Sequence, residues 1–437
     1  MRRLCVLSMI MLLVVSFGAA FAGGGAEEAV EEEVSELLFW DMSWGPDGYE
    51  DIAAGITREY EQLTGISISY SLIPWEGNYQ RFMTAIASGD TPDVATTSAA
   101  YPGSFGPAGH ILPLNSVVEQ WEAEGKLDEF SDEALTAWQV DGQTYALPWQ
   151  VDTRGYYYRK DVFEELGLEL PTTFDEFIEV AKVIRDETDL IPLATGFRGN
   201  WGKHPVMMLQ KQNNTGMVDR DGDDLKAIMD SPENLEVLQF IKTLMNERLI
   251  PEGALGYDGD DIERLYYDGE AAMLQHGLTE VILNYPDVAE NSGVMPIFMG
   301  PSADRKMISG FWNPVSVFSN TADPETAMDF AKWYVENNLE LFTSGYLPHY
   351  PVMSSQLDDP YFSDSWIRLE SAEEVIPYIV HETHPIGEYF DAYATLNGEN
   401  YAALMAHEVL AAGADADLEE IAARLNRQVE EVLDEFR

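Results

Sequence analysis

The sequence predicts an α/β protein built on a largely parallel sheet. Residues 36–40 form a short apolar segment, residues 66–72 alternate between apolar and polar, and residues 93–95 begin a third strand. Apolar residues at helical spacing occupy the intervals 49–64 and 79–87. This β-α-β-α-β order predicts a parallel or mostly parallel sheet with helices on both faces.

The remainder of the chain continues the mixed pattern. A helix over residues 161–166 ends at Gly167, and Thr173 with Glu176 forms a capping-box pattern that begins a helix reaching about residue 186. Later helical patterns cover residues 233–246, 324–337 and 418–436. There is no internal repeat and no long Pro/Ser linker, so any crossing between domains must use short segments.

The N-terminal residues indicate export. A basic start, an apolar run and the small-residue pattern Ala20-Phe-Ala22 predict a signal peptide over residues 1–22, with a retained membrane anchor as the alternative. Residues 23–35 are rich in Gly, Ala and Glu and predict a flexible acidic leader. We therefore expect a periplasmic or extracellular protein.

Cysteine usage narrows the chemistry. Cys5 is the only cysteine, and it lies ahead of the apolar run. No cysteine follows the predicted cleavage site, so the common bacterial lipid-anchor signal is missing. The mature chain would therefore have neither a disulfide nor a cysteine nucleophile.

The charge balance excludes some partners. The chain has 77 acidic and 25 basic residues, and its formal net charge is -52. Binding of nucleic acid or of an anionic membrane surface requires clustered Lys and Arg, so neither is expected.

One short segment combines aromatic rings with an acid and a base. Residues 145–161 contain Trp149, Asp152 and Arg154 just before three consecutive tyrosines at 156–158. Aromatic walls with a few placed polar groups are typical of small-ligand sites. The tyrosines alternate along a predicted strand, so at least one of them should belong to the core.

The order of short motifs along the chain resembles a known family, the extracellular solute-binding proteins (family 1) of bacterial ABC importers, which are the maltose-binding-protein-like sugar binders. The matching motifs lie at residues 38–40, 87–94, 109–114, 142–148 leading into 157–161, 170–177, 269–273 with Gly277, and 324–330. Two positions depart from the pattern: Thr96-Thr-Ser98 replaces an aromatic and charged set, and Thr279 replaces a frequent Trp.

The resemblance implies the periplasmic-binding-protein fold, with two α/β lobes, a hinge of about three crossings and a central ligand cleft that closes by hinge motion. By resemblance, the N-terminal lobe covers residues 36–148 plus 310–349, and the C-terminal lobe covers 153–309 plus 351–437. The closed form would contact membrane permease subunits. We expect a monomer without a cofactor.

A neutral sugar would suit the residues of the 145–161 segment. Its C–H faces stack on aromatic rings, and its hydroxyls bind carboxylates and guanidinium groups. Trp149 would supply the wall and Arg154 the donor. Asp152 matches a position where family members have a ligand-binding acid.

The other candidate ligand residues occupy predicted loops at strand ends, where open α/β sheets bind ligands. For each aromatic the alternative is packing within its own lobe, and for each histidine it is a structural hydrogen bond. These candidates are Asp41, Trp44, Trp75, Tyr101, Trp201, His276, Gly310, Trp312 and His349.

Other classes of function are less well supported. A glycoside hydrolase needs two carboxylates at a set separation, and an abundance of acids does not demonstrate such a pair. Motifs of zinc proteases, serine hydrolases and phosphate loops are missing from the sequence, so no catalytic residue is assigned. A polyamine would also suit acids beside aromatic rings and stays the alternative ligand.

Two acidic runs, at residues 219–224 and 258–261, superficially suggest calcium. The first has its Gly at the fourth position, whereas an EF-hand loop needs Gly at the sixth. We therefore interpret both runs as acidic turns and expect no metal site.

Overall fold

A mixed β-sheet forms the frame of the protein in a computed structural model that describes residues 36–222, 224–347 and 349–437. The predicted signal peptide and leader lie outside these residues. The strands are β1 Glu36–Met42, β2 Ser67–Ile73, β3 Val94–Thr96, β4 Gln139–Val140, β5 Gln143–Thr144, β6 Leu147–Arg159, β7 Ile191–Ala194, β8 Val218–Asp221, β9 Asp224–Ala227, β10 Ala271–Gly277, β11 Ser292–Val294, β12 Ile308–Val317, β13 Tyr350–Pro351 and β14 Ile379–Val380.

Helices alternate with these strands through most of the chain. They are α1 Tyr49–Thr64, α2 Asn78–Ser88, α3 Pro102–Phe105, α4 Asn115–Glu124, α5 Asp132–Thr136, α6 Lys160–Leu166, α7 Phe174–Glu187, α8 Lys203–Gln212, α9 Pro232–Asn246, α10 Gly259–Tyr267, α11 Pro286–Ala289, α12 Pro324–Glu336, α13 Leu339–Thr343, α14 Pro360–Ser363, α15 Trp366–Glu374, α16 Tyr393–Gly398, α17 Ala403–Ala412 and α18 Leu418–Glu435. Among the described residues, no helix is both long and apolar enough to cross a membrane.

The first three strands pair as the sequence predicts. β1 is parallel to both β2 and β3. The main path of this ten-stranded sheet is β2-β1-β3-β12-β6-β10-β7, with β11 and β13 also paired to β6 and β14 to β12. β12 is antiparallel to β3 and to β6. The sheet is therefore mixed, and the expectation of a mostly parallel sheet is accurate only for its first part.

Two long strands connect the halves of this sheet. β6 and β12 pair with each other from Gly310↔Thr153 to Val315↔Leu147, with a register shift between Asn313 and Pro314. The C-terminal end of β12 then pairs with β3, and the C-terminal half of β6 pairs with β10 and β11. The predicted crossings near residues 148–153 and 310 lie within this shared segment.

β6 is buried along most of its length, including the polar side chains of Gln150, Asp152, Thr153 and Arg154 in its middle. Tyr156 and Tyr157 are both core residues. Their hydroxyls donate to Gln212 Oε1 and to the Thr279 carbonyl, each at 2.8 Å. A buried tyrosine satisfies its hydroxyl in this way.

The start of α7 differs in detail from the predicted capping box. Thr173 caps the helix by accepting from Glu176 N at 3.2 Å. The Glu176 carboxylate instead accepts from the backbone and side chain of Thr172, one residue earlier than the motif requires.

The two acidic runs lie at a β-hairpin and at the start of a helix. Residues 219–222 and 224 belong to the β8–β9 hairpin, and Asp258 with Asp261 forms a reciprocal capping box at α10. Within the described ranges, no group of three His, Cys, Asp or Glu side chains is arranged to hold a metal ion.

A candidate ligand-binding cleft

A cleft of about 690 Å³ lies where the two halves of the sheet meet, within the usual range for small-molecule sites. Loops after the carboxyl ends of β1, β2 and β3 form one wall, and β6, β10, β12 and the start of α8 contribute the other. The lining residues are Trp44, Trp75, Glu76, Ser98, Ala99, Asp152, Arg154, Arg198, Gly199, Asn200, Trp201, Lys203, His204, Asp258, Gly259, Asp260, His276, Phe311, Asn313, His349, Glu382 and Asn397.

A buried ion pair lies in this cleft. Asp152 Oδ2 accepts from Arg154 Nη2 at 2.5 Å, and His349 Nε2 lies 3.6 Å from the same oxygen. Burial disfavours the Asp152 carboxylate, but the charge of Arg154 and the neighbouring His349 outweigh burial and hold the pKa of Asp152 below the usual range. Asp152 is therefore an ionised, acceptor-only group at neutral pH.

Arg154 also contacts aromatic rings. Its guanidinium carbon lies 4.9 Å from the centre of the Trp201 ring and 5.8 Å from that of Phe311. A planar guanidinium between a carboxylate and aromatic faces has a restricted orientation. The Asp152–Arg154 pair is thus a fixed polar surface.

Two histidines in the cleft are held in their neutral form. Burial, reinforced by the charge of Arg154, lowers the pKa of His276 to about 3 and that of His204 well below its ordinary value. His276 Nδ1 lies 3.2 Å from Glu263 Oε1 but not in hydrogen-bonding geometry. A neutral imidazole can both donate to and accept from a ligand.

We expect the His276 ring to stay neutral between pH 5 and pH 8, because protonating it would place a second cation beside Arg154 in a buried site. Imidazole ¹⁵N shifts measured over this range would show one neutral tautomer. The unfolded protein is the control, since its histidines should titrate near pH 6.5. An imidazolium signal from His276 above pH 5 would contradict this prediction.

Trp201 stacks on His276 with ring centres 4.4 Å apart and planes 20° apart. Gly259 makes this arrangement possible, since a Cβ there would lie 3.0 Å from Trp201 Cε3 and 3.1 Å from His276 Nε2. The first residue of α10 therefore has a packing reason to be glycine.

Two tryptophans form the opposite wall. Trp44 and Trp75 meet edge to face, with ring centres 4.8 Å apart, and His349 lies 6.1 Å from Trp44. The Trp75 indole donates to the Ser43 carbonyl at 2.7 Å. These rings offer the cleft apolar surface.

A buried lysine ties the C-terminal region to the cleft. Lys203 Nζ donates to Asn200 Oδ1 at 3.0 Å and to the carbonyl and Oδ1 of Asn397 at 3.1 and 2.7 Å. Burial lowers its pKa to about 8, although the nearby Glu382 carboxylate opposes that shift. Glu382 in turn accepts from Asn397 Nδ2 at 2.6 Å. The three donors of Lys203 are thereby occupied within the protein.

Several buried polar atoms of the cleft have no hydrogen-bond partner among the described residues. They include acceptors and donors, and native proteins rarely leave such atoms unsatisfied. They are Asp152 Oδ1, Arg154 Nε, Trp201 Nε1, His204 Nδ1, His276 Nδ1, Asn313 Nδ2 and His349 Nδ1. Their convergence indicates a ligand that both donates and accepts hydrogen bonds.

Of the residues nominated from sequence, the structure brings seven into the cleft and places five elsewhere. Those in the cleft are Trp44, Trp75, Asp152, Arg154, Trp201, His276 and His349. Those outside its lining are Asp41, Tyr101, Trp149, Gly310 and Trp312.

Three of the five residues outside the cleft are core side chains. Trp149 is fully buried and packs 5.5 Å from both Trp44 and Tyr334, measured between ring centres. Tyr101 is buried and donates to Asn78 Oδ1 at 2.5 Å. Asp41 is also buried, and burial raises its pKa to about 6.

The other two lie at the crossing of β12. Gly310 and Trp312 line a separate small cavity beside the cleft. A Cβ on Gly310 would lie 2.5 Å from Ile379 Cδ1, so glycine lets β14 pack against β12. Their neighbours Phe311 and Asn313 reach the cleft instead, because successive residues of a strand face opposite sides.

The sequence did not single out most of the remaining lining residues. Arg198 and Asn200 lie within three residues before Trp201, and Asn313 follows Trp312, so proximity to a nominated tryptophan was an available signal. Asp258 and Asp260 belong to a run interpreted only as a turn. Glu382 and Asn397 have no local signal, because they reach the cleft through contacts with residues far away in sequence.

The mixed α/β sheet with a polar and aromatic cleft at its centre forms a small-molecule binding site. The sequence profile of the bacterial extracellular solute-binding protein family matches residues 45–337, more than half of the chain. The protein belongs to this family. The resemblance noted from sequence motifs is therefore confirmed, as is the predicted fold class.

Curated relatives align over most of the chain. The erythritol/L-threitol-binding protein of Mycolicibacterium smegmatis is 26% identical over 379 residues, covering 79% of this chain and 77% of the relative. The arabinooligosaccharide-binding protein of Halalkalibacterium halodurans is 24% identical over 326 residues, covering 71% and 70%.

Solved structures share the fold. A sugar transporter from Arthrobacter chlorophenolicus with bound laminaribiose has a TM-score of 0.81 and 25% identity, covering 91% of this chain and 99% of its own. Maltose-bound MalE3 of T. maritima has a TM-score of 0.74 and 21% identity, covering 90% and 100%. At the identity of the second structure, the likeness concerns the fold alone.

Proposed function

We propose that the protein is the substrate-binding component of an ABC importer, which captures a sugar or oligosaccharide in the cleft and delivers it to membrane permease subunits. The observation that carries this proposal is the convergence of unpaired donors and acceptors with tryptophan rings in one cleft. Hydroxyl groups need both kinds of partner, and sugar C–H faces need aromatic surface.

The ligand class is supported by what the relatives bind. The two curated relatives are named for a polyol and an arabinooligosaccharide, and the Arthrobacter structure holds laminaribiose. Asp152 and Arg154 neutralise each other's charge, so this pair can bind hydroxyl groups without requiring a charged ligand.

The proposed lobes follow the motif boundaries, 36–148 plus 310–349 and 153–309 plus 351–437. The shared segment of β6 and β12 would be part of the hinge between them. The protein would act as a monomer outside the cytoplasm and would bind without catalysing a reaction.

A thermal-shift panel on the purified protein tests the ligand class. It compares mono- and oligosaccharides, polyols, sugar acids and polyamines. A neutral saccharide at 100 times its Kd should stabilise the protein by about 2.7 kcal/mol. For a chain of this length, that corresponds to a rise in Tm of roughly 3 °C.

The same panel separates the alternatives. A rise in Tm with a polyamine or a sugar acid, and none with neutral saccharides, would agree with a binding protein but would contradict the proposed ligand class. Chromatography of the saccharide after incubation should recover it unchanged, and cleavage products would show that the protein is an enzyme.

A further inference from the structure

A buried hydrogen-bond chain lies directly behind the Trp44 wall of the cleft. The Trp44 indole donates from Nε1 to Thr96 Oγ1 at 3.0 Å, and Thr96 Oγ1 donates to Asp41 Oδ1 at 2.6 Å. Thr96 and Asp41 are completely buried, and neither lines the cleft. The chain therefore connects a core carboxylate to a ring of the proposed binding surface.

The Thr96 hydroxyl has no spare hydrogen-bonding capacity. A hydroxyl has one proton to donate and two lone pairs to accept with. The proton goes to Asp41, while the lone pairs receive Trp44 Nε1 and the backbone N–H of Met42, the latter at 2.8 Å. Its acceptor side can face Trp44 because its proton is directed to Asp41.

Asp41 is fixed in turn by the surrounding core. Its Oδ2 atom accepts from the hydroxyls of Tyr49 at 2.8 Å and Tyr70 at 3.1 Å, which belong to α1 and β2. Both carboxylate oxygens are therefore used as acceptors. Two elements of the N-terminal half thus determine which way the Thr96 proton points.

We propose that Thr96, oriented by Asp41, is a positioning residue that holds the Trp44 indole in the wall of the cleft. The proposal rests on the proposed function, because it assigns Trp44 a role in ligand capture. The proposal also gives a structural role to Thr96, a position where the sequence departs from the family pattern.

The position of Trp44 affects more than one side of the cleft. Its ring contacts Trp75, Trp149 and His349, with ring centres 4.8, 5.5 and 6.1 Å away. The indole N–H groups of Trp44 and Trp75 are both occupied within the protein. These two residues thus present ring carbon atoms to a ligand, whereas Trp201 keeps a buried N–H without a partner among the described residues.

The first test measures hydrogen exchange of the Trp44 indole N–H by ¹⁵N NMR, with Trp44→Phe used to assign the signal. Thr96→Val removes the acceptor and should accelerate exchange at least tenfold, a factor that corresponds to 1.4 kcal/mol. Thr96→Ser keeps the hydroxyl and should preserve slow exchange. Thr97→Val is the matched control, because the Thr97 hydroxyl donates to the Ser98 carbonyl and takes no part in the Trp44–Thr96–Asp41 chain.

The second test is a double-mutant cycle on affinity for a saccharide that stabilises the wild type. Thr96→Val should weaken binding about tenfold in the wild-type background and less than twofold in Trp44→Phe, which has no indole N–H. Equal losses of affinity in both backgrounds would mean that Thr96 acts independently of the Trp44 indole, and would overturn the proposal.

The two tests distinguish failure of the positioning role from failure of the proposed function. Unchanged indole exchange in Thr96→Val would overturn the positioning role whatever the protein binds. If no saccharide binds the wild type, the proposed function fails, and the positioning of Trp44 for saccharide capture fails with it even when exchange responds.

Discussion

Asp152→Asn is expected to weaken saccharide binding by about two orders of magnitude, equivalent to about 3 kcal/mol. Asp152 Oδ1 is buried and has no hydrogen-bond partner among the described residues, so it is available to accept from a ligand hydroxyl. A carboxylate makes roughly twice as strong a bond to a hydroxyl as a neutral amide oxygen does. Isothermal titration calorimetry of variant and wild type measures the loss.

The same substitution should also reduce stability, because it leaves the Arg154 guanidinium buried beside a neutral amide. Removing one partner of a buried pair typically costs about 3–5 kcal/mol. The double variant Asp152→Leu/Arg154→Met removes both charges and should recover stability without recovering affinity. Recovery of affinity in the double variant would show that the pair only supports the fold.

A matched control exists near the end of the same strand. Asp161 pairs with Arg159 at 2.6 Å with the same two-residue spacing, but its side chain is 41% exposed and does not line the cleft. Asp161→Asn should leave affinity unchanged and alter stability by less than about 1 kcal/mol. A comparable loss of affinity in this control would remove the special role of Asp152.

Glu263→Gln is expected to stabilise the protein by about 3 kcal/mol at pH 8 and by less than about 1 kcal/mol at pH 5. Burial, and then the charge of Asp260, raise the pKa of Glu263 from 4.5 to about 7. When folding raises the pKa of a carboxyl group, that group stabilises the folded state at pH values below its pKa in the unfolded chain. That contribution disappears as pH rises through the folded pKa.

Urea unfolding at the two pH values measures this difference. Glutamine can still accept from Tyr267 Oη, which lies 3.4 Å from Glu263 Oε1. Glu270→Gln, at an exposed position just beyond the same helix, is the control for removing one negative charge from a very acidic chain. Equal stabilisation by both variants would attribute the effect to net charge and contradict the role of burial.

The sequence predicted the frame of the protein better than it predicted the cleft. The strands and helices of residues 36–96 follow from local periodicity, and their parallel pairing follows from the order of elements. The mixed pairing of β12 could not be predicted in this way, because β3 and β12 are separated by about 210 residues of chain.

Single residues of the cleft also could not be assigned from local sequence alone. Trp44 and Trp149 were both nominated as walls, yet Trp44 lines the cleft and Trp149 packs behind it. Trp44 follows β1 in a loop, whereas Trp149 lies within β6 and packs against Tyr334 and Phe342. Because those two partners are far away in sequence, residue type alone does not separate a cleft wall from a core ring.

The ladder shared by β6 and β12 has a mechanical consequence. Six residue pairs join the two strands between Leu147 and Thr153, four on one side and two on the other side of the shift at Asn313/Pro314. Any rotation of one half against the other must bend this ribbon as a whole, so the torsional change is distributed over several residues. A search for a single pivot residue should therefore find many substitutions with small effects on domain closure and none that abolishes it.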